Sequence, residues 1–282
     1  MIIDSHCHAW ERWPYQPPVP DYYSRSAIDQ LLFEMDVNGV DKAFLVCAGI
    51  DHNPANNDYI AAAVRRHPDR IIQCADVDCS WSETYHLPGA ATRLRQAADR
   101  WHLPAFTHYV KGDDDGSWYT GEEGMAFFAA AAELGLIASI ACRPHHHPAI
   151  NQVAAAFPSM PILIHHLGHP GVGQVDNLLL VLESAQYPNI HIKVSGFYYS
   201  TIGPFWDFPH RDTIDAIVRP LYETYGGARL CWGSDYPVCR RNITYRQALE
   251  AFRTHCDFVA EEDKPRILGG NLAGLLRLGT GN

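Results

Sequence analysis

The N-terminal stretch DSHCH places two imidazoles, His6 and His8, two positions apart. In an extended strand alternate side chains share a face, so His6 and His8 point one way and Cys7 the other. Two inward imidazoles side by side are costly to bury unless they share a partner, and a divalent ion or a transferable proton is such a partner. Two later segments also end an apolar run in polar residues: ILIHHLGHPG, with His165 and His166, and LCWGSDYP, with Asp235. Imidazoles joined by one carboxylate suit zinc or manganese with positions left open for water, and the carboxylate can also serve as a general base. Sixteen histidines fit such a site without locating it; position in the fold has to do that.

The elements that must position these groups repeat along the chain. Short apolar runs occur at residues 2–6, 42–47, 71–77, 105–110, 137–142, 162–166, 190–194 and 229–232. Between them lie helical patterns at about 27–38, 57–67, 90–100, 121–134, 148–157, 175–184, 213–225 and 245–256, with a last helix over 263–276. Eight strands each followed by a helix predict a single (β/α)8 TIM barrel of the α/β class, over residues 1–282, with an extra C-terminal helix and catalysis at the carboxyl ends of the strands. An open doubly wound sheet is disfavoured because no Gly-rich dinucleotide loop follows the first strand. Gly39 and Gly135 mark helix exits, and Asp263 is a candidate N-cap. Loops 12–24 and 196–211, rich in aromatics and proline, fall at the predicted mouth and read as pocket wall or lid.

Composition removes other classes. Lys+Arg of 22 against Asp+Glu of 32 gives a formal charge of −10 with no basic run, so neither nucleic acid nor an anionic membrane is an expected partner. The apolar stretch 125–142 is interrupted by Glu133 and Gly135 and reads as helix, turn and strand, not as a membrane span. Eight cysteines without a CxxC pair read as packed, reduced thiols, and the start MIIDSHCHAW lacks the pattern of a secretory signal, so a cytoplasmic protein is expected. Self-association into a homo-oligomer is left open.

Five motifs in order, DSHCH, HHLGHPG, KVSG at 193–196, GSDYP at 233–237 and the terminal ILGGNLAGLL, resemble the amidohydrolase-related group of the amidohydrolase superfamily. Within it the sequence is most similar to the lactonase-like branch, which opens sugar-acid lactones, muconolactones and pyrone lactones. The resemblance runs from Ile2 to Leu276 and implies a distorted barrel. It also implies a reacting water surrounded by His6, His8, His166 and Asp235, with one divalent metal, zinc or alternatively manganese, although some relatives work without metal. His166 is preferred to His165 because the family's histidine directly precedes Leu-Gly; His165 is then expected to face outward or sit behind the ligands. One departure stands out. Metal-dependent relatives, decarboxylases especially, commonly carry a histidine ending strand five, where this chain has Cys142-Arg143-Pro144-His145; His145 or His147 could fill that place after a small shift.

These readings lead to a lactonase with Asp235 as general base and His166 in the catalytic group, acting on a small acidic substrate. The alternative is a metal-dependent non-oxidative decarboxylase on the same barrel. Expected substrate contacts are Trp10, Tyr198 and Tyr199 as walls for a ring, and His108 and Lys111 at the end of strand four. Arg143, His145 and Arg240 (or its neighbour Arg241) complete the set, the arginines because a guanidinium forks onto a carboxylate.

Overall fold

The computed structural model describes residues 1–15, 21 and 23–278. Part of the expected loop 12–24 therefore lies outside the described residues. Eight strands make one sheet in chain order: β1 (Ile3–Cys7), β2 (Lys42–Val46), β3 (Ile71–Asp76), β4 (Ala105–Tyr109), β5 (Ile137–Ala141), β6 (Ile162–Ile164), β7 (Ile190–Val194) and β8 (Leu230–Trp232). Each sequential pair is parallel. The sheet curls back on itself just beyond β8, where Tyr236 bridges Cys7 and the His8 amide donates to the Tyr236 carbonyl at 2.6 Å. The result is the (β/α)8 barrel that the alternating pattern predicts.

The barrel is distorted where its chemistry lies. β6 and β8 have only three residues each. In β1, Asp4 pairs with Ala43 and Cys7 with Leu45, so one extra residue is accommodated between them. Such a bulge re-aims the side chains beside it.

Helices follow the strands at Ile28–Asn38, Asn56–Arg66, Ala90–Trp101, Glu122–Glu133, His147–Ala156, Val175–Glu183, Arg219–Tyr225 and Tyr245–Arg253. Gly39 and Gly135 take left-handed backbone, φ 68° and 67°, at two of the exits. Asp263 directly precedes the final helical stretch, but its carboxylate accepts from Tyr222 Oη at 2.9 Å, a tertiary brace in place of the expected cap. The helix Tyr245–Arg253 opens with a reciprocal capping box: Thr244 Oγ1 accepts from the Gln247 amide at 3.1 Å, and Gln247 Oε1 from the Thr244 amide at 2.8 Å. That cap fixes Tyr245, whose hydroxyl donates to Asp4 beneath the site at 3.0 Å.

Strands are apolar on both faces because one face meets helices and the other fills the lumen. The lower lumen is packed by Ile3, Phe44, Val46, Cys74, Ala105, Ile137, Leu163 and Cys231, and the C-terminal helix Asn271–Leu275 closes it with Leu272 and Ala273. All eight cysteines are buried free thiols. The stretch 125–142 divides into helix and strand, and among the described residues no helix is long and apolar enough to cross a membrane.

Leu272 is 1% exposed against the lumen residues. Leu272→Ala is expected to lower unfolding stability by about 2–5 kcal/mol, the range for emptying a packed core position. Urea unfolding should show this as a lower midpoint at unchanged slope; an unmoved midpoint would mean that the C-terminal helix is not a structural plug.

Candidate active site

The bulge in β1 turns His6 and His8 together into the upper lumen, with ring centroids 4.9 Å apart. Asp235 leaves β8 with φ 57° and His166 leaves β6 with φ 45°, backbone settings that cost a residue bearing a Cβ about 1–3 kcal/mol each. Their convergence is close. Asp235 Oδ1 lies 3.5 Å from His6 Nε2, 3.7 Å from His8 Nε2 and 3.8 Å from His166 Nε2. All four side chains are buried. The other carboxylate oxygen, Oδ2, accepts hydrogen bonds from the hydroxyls of Tyr198 and, at 2.9 Å, Tyr199.

Each histidine is held by its far nitrogen. His8 Nδ1 lies 2.7 Å from the Val46 carbonyl, which can only accept, so the proton is on Nδ1 and the Nε2 lone pair faces Asp235. Trp10 stacks on His8 at 5.0 Å and donates its indole N–H to the Ala48 carbonyl at 2.8 Å. His166 Nδ1 meets Ser195 Oγ at 3.0 Å, and His6 Nδ1 meets Lys193 Nζ at 3.3 Å. His6 Nε2 is buried and has no hydrogen-bond partner among the described residues. Glycines make room: a Cβ on Gly233 would fall 2.7 Å from His6 Cβ, and one on Gly196 would fall 2.6 Å from the Tyr199 ring and 2.8 Å from His166 Nδ1.

This donor set fits a divalent cation. His6, His8 and Asp235 form one group with ligand atoms within 4.8 Å of one another, and His6, His165 and His166 form a second. Ligand atoms of a tetrahedral zinc centre stand roughly 3.3–3.6 Å apart, given bond lengths of about 2.0–2.2 Å. The carboxylate-to-imidazole distances come close to that spacing, and an orphaned ring nitrogen is what a cation would satisfy. A carbonyl on Nδ1 of His8 is the usual support for a ligating imidazole.

Electrostatics agree with a deprotonated cluster. Burial pushes the Asp235 carboxyl up, but His166, His8 and the Tyr198 hydroxyl outweigh it and hold the group below its ordinary value. Burial lowers His166 to about 4 against the pull of Asp235, and drives His6 and His165 well below the usual imidazole range.

Several expected contacts lie elsewhere. His108 points outward from β4, with Nδ1 3.2 Å from the Val77 carbonyl and the ring stacked against Trp118, because the alternation puts Tyr109 into the lumen instead. Trp10 is fully buried behind His8 and forms no open wall. Lys111 lies over the Tyr85 ring at 4.9 Å, and Arg240 lines an outer cavity with Arg25 and Glu34. Arg241, 5.4 Å from the Tyr15 ring centroid, is the one that turns toward the loop after β1. His145 is exposed with Nε2 3.0 Å from the Asp114 carbonyl, and His147 is buried on Ser184, so neither is brought to the cluster. Arg143 stays at the mouth, exposed, close enough for its charge to act on His166 and His169.

The structure also adds residues. Of the two places expected for His165, outward or behind the ligands, it takes the second: its Nε2 meets Ser139 Oγ at 2.7 Å inside the lumen, with its ring 4.4 Å from that of His6. The short β6 and the positive φ at His166 and Leu167 break the alternation, which lets both neighbouring histidines face in. Asp4, the first residue of DSHCH, accepts from Ser234 Oγ at 2.5 Å and the Ser234 amide at 2.9 Å, tying β1 to the loop that carries Asp235. Its place two positions before His6 was the only sequence signal.

These shifts set a pH response. His108, His166 and His191 are lowered to about 4 and His147 to about 3, burial being the first cause in each, from an ordinary 6.5. The unfolded chain then binds more protons than the folded one as pH falls below about 6.5, so stability present above that pH is lost progressively down to about 4. Asp4, raised by burial to about 6, and Asp76, also raised by burial, work in the opposite direction, but the lowered imidazoles, which also include His6, His86, His146, His165 and His169, outnumber them. The melting temperature should fall between pH 7.5 and pH 5; a flat profile would contradict neutral buried imidazoles.

Comparison with known proteins places this barrel. Residues 3–278 match the family model described as Amidohydrolase. Over 142 residues the chain is 31% identical to the L-fucono-1,5-lactonase of Burkholderia ambifaria, a match covering 48% of this chain and 48% of that relative, so it spans about half the relative's length. Among solved structures, an amidohydrolase from Burkholderia multivorans with bound zinc superposes with TM-score 0.78 at 16% identity, over 99% of this chain and 100% of that one. The "probable 2-pyrone-4,6-dicarboxylic acid hydrolase" of Acinetobacter baumannii with citric acid bound gives 0.75 at 19% identity, over 98% and 99%. At those identities the structures speak for the fold, whereas the family model spans nearly the whole chain. The chain belongs to the amidohydrolase family.

Proposed function

We propose that this protein is a hydrolase that opens the ester ring of a carboxylated or sugar-acid lactone by water attack, with Asp235 as general base. The observation that carries this reading is the division of labour on Asp235: Oδ2 is occupied by two tyrosine hydroxyls, while Oδ1 faces three imidazole nitrogens at 3.5–3.8 Å. A carboxylate held on one side and open on the other has a fixed direction in which to take a proton. The match to a fuconolactonase over half its length supports a lactone substrate.

In this mechanism a water placed between Oδ1 and the imidazoles loses its proton to Asp235 as its oxygen bonds to the lactone carbonyl carbon. The ester C–O bond then breaks, and the proton held on Asp235 passes to the departing ring oxygen. His166, kept neutral by burial, is the catalytic imidazole that orients the water. The divalent metal, zinc or alternatively manganese, would be held by His6, His8, His166 and Asp235, and would supply Lewis-acid polarisation of water and carbonyl. A structural neighbour with bound zinc is consistent with that ion. Arg143 at the mouth is placed to fork onto a substrate carboxylate, with Arg241 in place of Arg240 as its companion. The decarboxylase alternative loses ground because His145 and His147 are both engaged away from the cluster.

Asp235→Asn should lower kcat on acidic lactones by about 10²–10⁴-fold, the usual contribution of a positioned base, with base uptake in a pH-stat as the readout. Elemental analysis before and after chelation shows whether metal and activity leave together; activity that survives complete metal removal would assign the reaction to the side chains alone. Carbon dioxide release without lactone turnover would replace this reading with the decarboxylase.

A further inference from the structure

The cluster rests on a second buried layer that the mechanism above leaves without a task. Lys193 projects inward from β7 and is completely buried. Its Nζ lies 3.3 Å from His6 Nδ1, donates to Ser139 Oγ at 2.7 Å, and stands 5.0 Å from the Phe44 ring centroid. An imidazole, a hydroxyl and an aromatic face are its contacts; the charge of Asp4 reaches it, but among the described residues no carboxylate pairs with it directly. Ser139 in turn meets His165 Nε2 at 2.7 Å, so one unbroken chain runs His6, Lys193, Ser139, His165 across the lumen from β1 to β6. A buried lysine amine without a directly paired carboxylate is expensive, and an apolar side chain of the same length would fill the space at less cost. Of the two hydrogen bonds a methionine there could not supply, the one to Ser139 anchors the amine and the one to His6 reaches the cluster.

That bond decides which way the His6 ring faces. An imidazole flipped about its last torsion exchanges the edges that carry its nitrogens, and His6 Nε2 has no hydrogen-bond partner of its own to resist the flip. We propose that Lys193 is a positioning residue: anchored by Ser139, it holds Nδ1 of His6 so that Nε2 is presented to Asp235 Oδ1. Whichever nitrogen carries the shared proton, the bond fixes the ring. The inference rests on the reading of the His6–His8–Asp235 cluster as the reactive centre.

The test compares Lys193→Met, Ser139→Ala and the double variant in the full chain, by kinetics on a turned-over lactone and by ¹⁵N spectra of histidine-labelled protein with the His6 ring signals assigned. Lys193→Met is expected to lose about 10–100-fold in kcat, the usual cost of removing the support behind a reactive imidazole, with KM nearly unchanged and His6 nitrogen shifts altered. Ser139→Ala should lose less, and the double variant no more than Lys193→Met alone, since both act through one bond. A folded Lys193→Met with wild-type kcat and unmoved His6 shifts overturns the proposal. So does a loss that raises KM equally while the His6 shifts stay put. If Lys193→Met does not fold, Ser139→Ala decides: altered His6 shifts support the role and unaltered ones remove it. If no lactone is turned over by the wild type, the lactonase reading fails on its own, and the spectra still settle whether Lys193 orients His6.

Discussion

A carboxylate cannot be buried among apolar strands unless its oxygens are satisfied, and Asp235 is the group around which this barrel solves that problem. One of its oxygens accepts from Tyr198 and Tyr199 and the other faces three imidazole nitrogens, and among the described residues no arginine or lysine is paired to it. The imidazoles need Asp235 as much as it needs them. Burial makes His6 and His166 reluctant to carry protons, so neutral rings beside one negative charge leave room for a cation or for a water about to lose a proton. The seam between β1 and β8 makes this geometry possible. There the Asp235 amide donates to the His6 carbonyl at 2.7 Å, and Asp4 clamps Ser234, so the strand that carries the histidine pair and the loop that carries the carboxylate are locked to one another.

The lumen is layered by polarity. At the bottom, apolar side chains and the C-terminal helix exclude water; above them Lys193 and Ser139 form a narrow polar tier; above that sit the histidines and Asp235; and Arg143 marks the mouth. β7 and the loop after it serve much of the upper tier. Lys193 reaches His6, Ser195 reaches His166, and Tyr198 and Tyr199 reach Asp235, while Gly196 leaves the space those rings require. The KVSG run thus looks less like a source of reacting groups than a scaffold for residues contributed by other strands.

The architecture was legible in the sequence because hydrophobic periodicity is a local property: apolar runs of strand length alternating with amphipathic stretches can close only as a barrel or an open sheet. Strand alternation likewise settled that His6 and His8 share a face, and the motif order brought His166 and Asp235 beside them. Side chains whose direction depends on irregular backbone or on phase were less legible in the sequence. His108 and Tyr109 exchange faces with a shift of one residue in β4; for His165 the sequence left open whether it faces outward or sits behind the ligands, and it turns inward because β6 ends early and the chain then adopts positive φ.

The sequence by itself therefore determined the eight-fold alternation and the residue types gathered at the strand ends, since these follow from spacing along the chain, and its five ordered motifs carried the resemblance to the family. Only the tertiary structure decided what each polar group faces. That Tyr198 and Tyr199 hold Asp235, that Trp10 backs His8, and that a buried lysine touches His6 are contacts across 37, 36, 2 and 187 positions of chain. All but the stacking of Trp10 on its near neighbour depend on how distant strands register when the barrel closes, and closure is a property of the whole sheet, not of any one strand.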